Sequence, residues 1–267
     1  MLRFCITFLL TSFFLTQSDG QQISNFNKIA RKTFVSRTLE YLEVLNDTTI
    51  YSSLNAYTDT AIFFIAADTL FIKQKYLQTD QTGTKYMSEL FGYKIVSLSD
   101  DTLRLENNSR FSFKSQDWED TLVFINIEKL RESTSDFKLL KLHIWSPWSG
   151  TRKIVIDNLG NVTFIKKPIP YSIDNPGGDK KAKPNNVTGR LTKKEFANFL
   201  NLLSKSLPSK LPNIRDCPID GTTSNFEILI RSKKIISTGC NLSWTHEFLL
   251  DYLYHIDTNK GLVNRKK

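Results

Sequence analysis

Two tryptophans are the residues best suited to molecular recognition, and they flank a proline in the stretch WSPWSG, residues 145–150. Indoles beside a rigid turn, such as Trp145 and Trp148, can form a platform that stacks on a sugar ring or on an apolar side chain of a partner. His143 and Arg152 are the polar neighbours that complete this candidate binding site. The alternative is that both indoles are buried as a plug between a sheet and a helix.

Clustered carboxylates are the groups that could carry out a reaction. Asp117 stands near Glu119 and Asp120, and Asp216 stands near Asp220. Paired carboxylates can serve glycoside hydrolysis, although both clusters lie in turns, where acidic residues have a structural role. The sequence has no Gly-x-Ser-x-Gly elbow, no glycine loop for phosphate and no His-Glu-x-x-His pair. A hydrolase that uses turn carboxylates is therefore the alternative to a protein without catalytic activity.

The cysteines indicate a disulfide. Cys5 lies in the N-terminal apolar run, which leaves Cys217 and Cys240 for the rest of the chain. Two cysteines without a histidine at ligand spacing cannot complete a tetrahedral zinc site. In an exported protein they have a single connectivity, so we predict a Cys217–Cys240 disulfide, no metal centre and no cofactor.

The segment 1–20 has the features of a secretory signal peptide. An early arginine precedes an apolar run from Phe4 to Leu15, and Ser18 and Gly20 occupy positions −3 and −1 of a cleavage site. The run is too short to span a membrane, and no later stretch approaches the roughly 18 to 20 apolar residues of a transmembrane helix. We expect an exported soluble protein, periplasmic or secreted, without a transmembrane segment.

The net charge of +9 comes from the second half of the chain, since the first half is close to neutral. A basic half could bind an anionic polysaccharide, a membrane surface or an acidic partner. Its lysines and arginines fall mainly in a loop, at a helix start and in the C-terminal tail, which is also the pattern of a solvated surface. Export argues against nucleic acid as a partner.

A recurring Asp-Thr pair predicts where strands begin. These pairs start at residues 47, 59, 68, 101, 120 and 257. Their irregular spacing excludes a repeat array, and apolar runs that flank short polar breaks indicate hairpins. Aspartate suits such a turn because its carboxylate can accept a backbone N–H two residues on, and threonine suits the first strand position. Isolated aspartates do not make a calcium site, so we interpret the pair as strand punctuation.

Hydrophobic patterning predicts a β-rich antiparallel domain over 21–131, after a short helix near Ser24–Lys32. We predict strands near 42–45, 49–54, 60–66, 69–76, 93–98, 102–106, 110–115 and 121–128. The run of hairpins resembles the lipocalin-like barrels of exported bacterial proteins. A barrel of this size either holds a small ligand or is filled by its own side chains.

A polar linker at 131–136 separates this part from an α+β domain over 132–267. A capping box at Thr192 and Glu195, with Leu191 and Phe196 as a hydrophobic staple, begins a helix that Pro208 ends. The other predicted elements are strands at 137–145, 152–157, 162–167, 225–230 and 234–238, an exposed loop at 168–188 and a closing helix over Ser243–Ile256.

The order IDNLGNVTF, TGRLTKKEFANFLNLL, DGTTSNFEILI and a helix ending LLDYLYHID resembles a domain of unassigned function common in exported proteins of the Bacteroidetes. The resemblance covers 137–257 and implies a fold and a compartment. That family has a Cys-Gly-x-Cys-Pro-type stretch where this chain has WSPWSG, so no redox or metal role is carried over to this position.

Together these patterns predict an α+β protein. Its N-terminal part is a mostly antiparallel, barrel-like meander, and an antiparallel sheet with two helices follows. We expect an exported soluble binding protein, without catalytic activity, for an unknown small ligand or protein partner. The alternatives are an extracytoplasmic hydrolase and an inhibitor or immunity protein that blocks another protein.

Overall fold

The structure is a computed structural model, and its described residues are 26–37, 39–54, 60–80, 83–107, 121–169, 185–211, 217, 221–240 and 244–264. The predicted signal peptide, the predicted strand at 110–115 and positions 170–184 of the predicted loop lie outside them. The chain divides into two compact units, one ending at Lys129 and the other beginning at Leu130.

Eight antiparallel strands close into a barrel in the first unit. They are β1 (Thr33–Ser36), β2 (Tyr41–Val44), β3 (Thr49–Ser52), β4 (Thr60–Ala66), β5 (Thr69–Asp80), β6 (Gly83–Leu98), β7 (Thr102–Asn107) and β8 (Thr121–Asn126). Each strand pairs with the next in the chain, and β1 pairs with β8 through Phe34 and Asn126. Four of these strands, β4, β5, β7 and β8, begin with the threonine of an Asp-Thr pair.

Large apolar side chains fill the barrel interior. Leu103 and Leu105 of β7 are buried while Arg104 between them is exposed, which is the predicted alternation. The hydroxyl of Tyr93 donates to the carbonyl of Leu54 at 2.6 Å, so this buried polar group is satisfied. The core includes Ile29, Phe34, Leu42, Val44, Ile50, Phe63, Leu70, Ile72, Phe91, Tyr93, Leu122 and Phe124.

The second unit contains a seven-stranded antiparallel sheet in the order β14-β13-β9-β10-β11-β12-β15. Its strands are β9 (Phe137–Ser146), β10 (Gly150–Asp157), β11 (Asn161–Lys167), β12 (Asn185–Leu191), β13 (Thr223–Ile230), β14 (Lys233–Gly239) and β15 (Leu262–Asn264). The helices are α1 (Lys193–Lys205) and α2 (Trp244–Tyr254). A one-turn helix spans Ile127–Leu130, and 3-10 turns span Pro208–Lys210 and Ile256–Thr258.

Both helices pack on one face of this sheet. Leu142 and Ile154 from the strands share a core cluster with Phe199 of α1 and Leu253 of α2. Since side chains alternate along a strand, the residues between these core positions point to the opposite face. One face of the sheet is thus built for packing, and the other is available for contacts outside the unit.

The N-terminus of α1 has one of the two hydrogen bonds of a capping box. The hydroxyl of Thr192 accepts the backbone N–H of Glu195 at 3.3 Å, as predicted. The reciprocal bond is absent, because the N–H of Thr192 donates to the carbonyl of Gly261 at 2.8 Å. The carboxylate of Glu195 instead accepts from the amide of Asn259 at 3.1 Å. The helix ends at Lys205, since Leu207 turns the chain with φ 51° before Pro208.

Several strand predictions differ from the structure. The predicted loop at 168–188 contains the first part of β12, and neither β1 nor β15 was predicted. The hairpin of β5 and β6 is longer at both strands than predicted, with pairing that continues to Asp80 and Gly83. Each of these segments is short or polar, so the hydrophobic alternation that indicates a strand is weak there.

Candidate binding face

The uncovered face of the second unit's sheet is the candidate site, and we call it the binding face. Lys141, His143 and Trp145 of β9 point to it, between the core residues Leu142 and Ile144. A shallow depression of about 390 Å³ lies at its centre. Its lining includes Lys141, His143, Lys153, Val155, Asn225, Glu227, Ile236 and Thr238.

Strand register arranges these side chains in rows. His143 stands between Lys153 of β10 and Asn225 of β13, and Asn225 faces Thr238 of β14. In an antiparallel sheet, side chains directly opposite each other on one face lie about 5 Å apart. The row therefore offers an amine, an imidazole, an amide and a hydroxyl side by side.

The charge of the binding face is positive around His143. Glu227 is compensated by Lys141 at 2.9 Å and by Lys234 at 3.2 Å, and these hydrogen bonds lower the pKa of its carboxyl group. Lys153 forms no such ion pair with any residue that the structure describes. Its amine is therefore available to an anionic group of a ligand.

The surroundings of His143 favour its neutral form. Desolvation lowers the pKa of its imidazole, and the positive charge of Lys153 lowers it further. A neutral imidazole presents one N–H donor and one nitrogen acceptor. His143 can thus both donate to and accept from the hydroxyl groups of a ligand.

Trp145 stands at one end of the binding face and is 44% exposed. Its cross-strand neighbours are Thr151 and Thr223, whose side chains are much shorter than an indole. It lies two residues beyond His143 on the same side of β9, so its ring adjoins the polar row.

Trp148 lies in the turn between β9 and β10 and is 68% exposed. The hydroxyl of Ser146 accepts the N–H groups of Trp148 and Ser149 at 3.2 and 3.4 Å, which fixes the turn. Gly150 closes it with φ +82°, and a Cβ there would overlap the carbonyl oxygen of Lys167. Neither indole is buried between sheet and helix, so the interpretation of the pair as a plug is wrong.

The structure does not bring Arg152 to the binding face. Arg152 points to the helix side of β10, where its guanidinium lies 4.2 Å from the ring centre of Tyr254. One of its N–H groups also donates to the carbonyl of Tyr254 at 3.4 Å. Arg152 therefore links β10 to the C-terminal end of α2 through these two contacts and is not a neighbour of His143.

Sequence reasoning missed Lys153, Asn225 and Glu227 as members of the site. The alternation in RKIVID and NFEILI indicates that these residues point away from the core. It does not indicate that β13 pairs with β9, because β13 follows β9 only after three intervening strands and helix α1. The missing information was the order of strands in the sheet.

Cys217 and Cys240 form the predicted disulfide, with Cα atoms 5.6 Å apart. Cys217 precedes β13 and Cys240 follows β14, so the bond ties together the two ends of this edge hairpin. Within the described part of the chain, no three His, Cys, Asp or Glu side chains gather where they could hold a metal ion. The five acidic residues considered for hydrolysis, Asp117, Glu119, Asp120, Asp216 and Asp220, lie outside the described residues.

Comparisons with models of protein families, with curated proteins and with solved structures find no match for this chain. The resemblances to lipocalin-like barrels and to the Bacteroidetes domain therefore stay predictions. Among the described residues, every helix falls short of the length and apolar character needed to cross a membrane.

Proposed function

We propose that this chain is an exported binding protein without catalytic activity, and that its ligand occupies the binding face. The observation that carries the proposal is the exposed indole of Trp145 beside the row of His143, Lys153 and Asn225. Exposure of a tryptophan ring to water is unfavourable in free energy, and such a ring at the edge of a polar row is a frequent anchor residue in binding sites. Export is supported by the disulfide and by the features of residues 1–20.

The chemistry of the binding face favours an acidic saccharide as ligand. A sugar ring has an apolar side that stacks on an indole, and its hydroxyl groups need both donors and acceptors. His143 and Asn225 supply both kinds of group. The uncompensated amine of Lys153 favours a ligand that also carries a carboxylate or sulfate group.

Isothermal titration with a polyuronate, a sulfated polysaccharide and a neutral glucan tests the proposal. We expect binding to an acidic chain, and Trp145→Ala should weaken it roughly tenfold to a hundredfold because it removes the stacking surface. Since the indole is exposed, the same change should alter the free energy of unfolding by less than about 1 kcal/mol.

Lys153→Gln tests the contribution of charge separately from the contribution of stacking on Trp145. It should weaken binding of the acidic chain and make that binding less sensitive to salt. Lys193→Gln on α1 removes the same charge away from the binding face and is the matched control. Absence of binding to all three polysaccharides would reject the saccharide ligand, and a copurifying protein lost on Trp145→Ala would favour the inhibitor class.

A further inference from the structure

The outer surface of the barrel carries a stripe of exposed apolar side chains across β4, β5 and β6. Leu70 and Ile72 of β5 are buried in the barrel core, so Phe71, Lys73, Lys75 and Leu77 point outward. The most exposed apolar members range from Leu90 at 37% to Tyr86 at 78%. We define the outer stripe as Ile62, Phe64, Phe71, Lys73, Lys75, Leu77, Tyr86 and Leu90.

Strand register makes the outer stripe continuous. Phe64 pairs with Phe71, and their rings stack with centres 5.0 Å apart. Lys73 stands between Ile62 and Leu90 in the next row. Leu77 and Tyr86 form a further pair towards the end of the hairpin, so the stripe runs for about 20 Å along the strands.

Within the outer stripe the charges have one sign. Lys73 and Lys75 lie on the outward side of β5, and neither forms an ion pair with a described residue. Lys94 of β6 also points outward, but it stands opposite Glu106 of β7 and is not part of the stripe. The described side chains of β4, β5 and β6 include one carboxylate, that of Glu89. It points to the inward side of the barrel wall, where the hydroxyl of Tyr76 donates to it at 3.1 Å. The outer stripe thus combines apolar surface with uncompensated positive charge.

We propose that the outer stripe is a docking surface for an anionic lipid membrane. Tyrosine, phenylalanine and leucine suit the boundary between headgroups and acyl chains, and lysine stems can extend along it while their amines contact anionic headgroups. A contiguous exposed apolar surface rimmed by lysines is uncommon on a protein without an interaction partner. This inference concerns the first unit and does not depend on the binding face.

Two other occupants fit the outer stripe less well. A second copy related by a twofold axis would bring Lys73 and Lys75 of both copies together, and like charges oppose such an interface. A protein partner typically needs roughly one hydrogen bond per 100–200 Å² of interface. Between Phe71 and Leu90, the described outward side chains of this hairpin offer, besides lysines, only the hydroxyl groups of Thr79, Thr84, Tyr86 and Ser88, and those of Thr79 and Thr84 already bond each other at 3.0 Å.

Vesicle cosedimentation tests the membrane proposal with the protein beginning at Gln21, which leaves out the apolar run at residues 4–15. The vesicles are phosphatidylcholine alone and phosphatidylcholine with about one third phosphatidylglycerol. We expect sedimentation with the anionic vesicles, little with the neutral ones, and a decrease in high salt. Lys73→Gln with Lys75→Gln, and separately Leu77→Thr with Tyr86→Thr, should each weaken the partition coefficient at least about tenfold.

Matched controls make the result specific to the outer stripe. Lys193→Gln with Lys194→Gln removes two exposed charges from α1, and Leu159→Thr with Val263→Thr removes two exposed apolar side chains from the second unit. Neither control should change sedimentation. The proposal is overturned if no vesicle binds, if stripe and control variants bind alike, or if the stripe residues instead hold a concentration-dependent dimer or an acidic polypeptide.

Discussion

The aspartates of this chain differ in what they do at turns. Asp157, between β10 and β11, accepts the N–H groups of Leu159 and Asn161 at 2.9 Å each, and the side-chain amide of Asn161 at 2.7 Å. Desolvation raises the pKa of its carboxyl group, but these hydrogen bonds outweigh that effect and the pKa is lowered. This is the turn role that we predicted for the aspartates of the Asp-Thr pairs.

The Asp-Thr pairs themselves organise their turns differently. At the turn before β3, the side chain of Asn46 accepts the N–H groups of Thr48 and Thr49 at 3.0 Å each. At the turn before β7, the hydroxyl of Ser99 accepts those of Asp101 and Thr102 at 3.3 and 3.0 Å. In these two turns a polar residue upstream of the pair therefore supplies the acceptor, and a threonine begins the strand as predicted. Composition indicated the turn, and only the structure assigns the acceptor.

His246 makes the stability of the second unit depend on pH. It lies in α2 with no exposed surface, and burial lowers the pKa of its imidazole to about 4, although the backbone carbonyls of Ser206 and Leu207 oppose the shift. Below pH 6.5 the unfolded chain takes up a proton that the folded chain binds only near pH 4. The contribution of neutral His246 to the free energy of unfolding is therefore fully present above pH 6.5. It is lost as the pH falls from 6.5 to 4, by about 3 kcal/mol in all.

Urea unfolding between pH 7 and pH 4 measures this loss. Replacement by a neutral side chain of similar size, His246→Gln, should remove most of the slope between pH 6.5 and pH 5, above the range where carboxylates titrate. An equal slope in wild type and His246→Gln would contradict the prediction.

Elements with strong hydrophobic alternation were predictable, and elements held by pairing alone were not. β9 buries every second residue from Leu140 to Ser146, β11 buries Val162 and Phe164, and the ends of both strands were predicted within one residue. The outer part of the β5–β6 hairpin exposes side chains on both faces, so apolar and polar residues do not alternate in its sequence. β15 has three residues and forms only because β12 offers it a partner.

The β9–β10 hairpin depends on glycine at position 150. An alanine there would have to adopt φ +82°, and its Cβ would overlap the carbonyl oxygen of Lys167 and approach the backbone of Pro168 and Ile169 to 2.9 Å. Backbone strain and the displaced β11 end should together cost more than about 2 kcal/mol of unfolding free energy.

Gly83→Ala is the matched control for Gly150→Ala. Gly83 has φ +125° but no heavy atom within 4 Å of a Cβ built there, so its alanine variant carries strain without overlap. Chemical denaturation of both variants should show the larger loss for Gly150→Ala. Equal losses would mean that the strand end of β11 adapts to the extra atom without cost.

At the scale of the whole molecule, the candidate site was predictable in part. Trp145 and His143 share one face because they are two residues apart on a strand, which a period of two predicts. Arg152 was assigned to the same site by its nearness in sequence, but an even number of positions from Ile154 and Ile156 places it on the helix side. Asn225 required the pairing of β13 with β9, which depends on contacts between distant parts of the chain, whereas Lys153 required the register of the β9–β10 hairpin.

Each unit has its own hydrophobic core, and the disulfide belongs to the second unit alone. The Cys217–Cys240 bond spans 23 residues of sequence and encloses β13 and β14, the edge hairpin of the seven-stranded sheet. Closing a loop of this length reduces the entropy of the unfolded chain and is worth about 3 kcal/mol in the chain-entropy model. Its removal should therefore destabilise the second unit selectively.

Hydrogen exchange resolved by peptide measures this selectivity in the Cys217→Ser, Cys240→Ser double variant. We expect faster exchange in the peptides of β13 and β14, and also in those of β9, since β9 pairs directly with β13 over eight residue pairs. Peptides of β1 to β8 should exchange as in the wild type, because their hydrogen bonds and core lie within the barrel. Faster exchange in the barrel strands would show that the two cores unfold as one cooperative unit, and unchanged exchange in β13 and β14 would show that the disulfide adds no stability to the sheet edge.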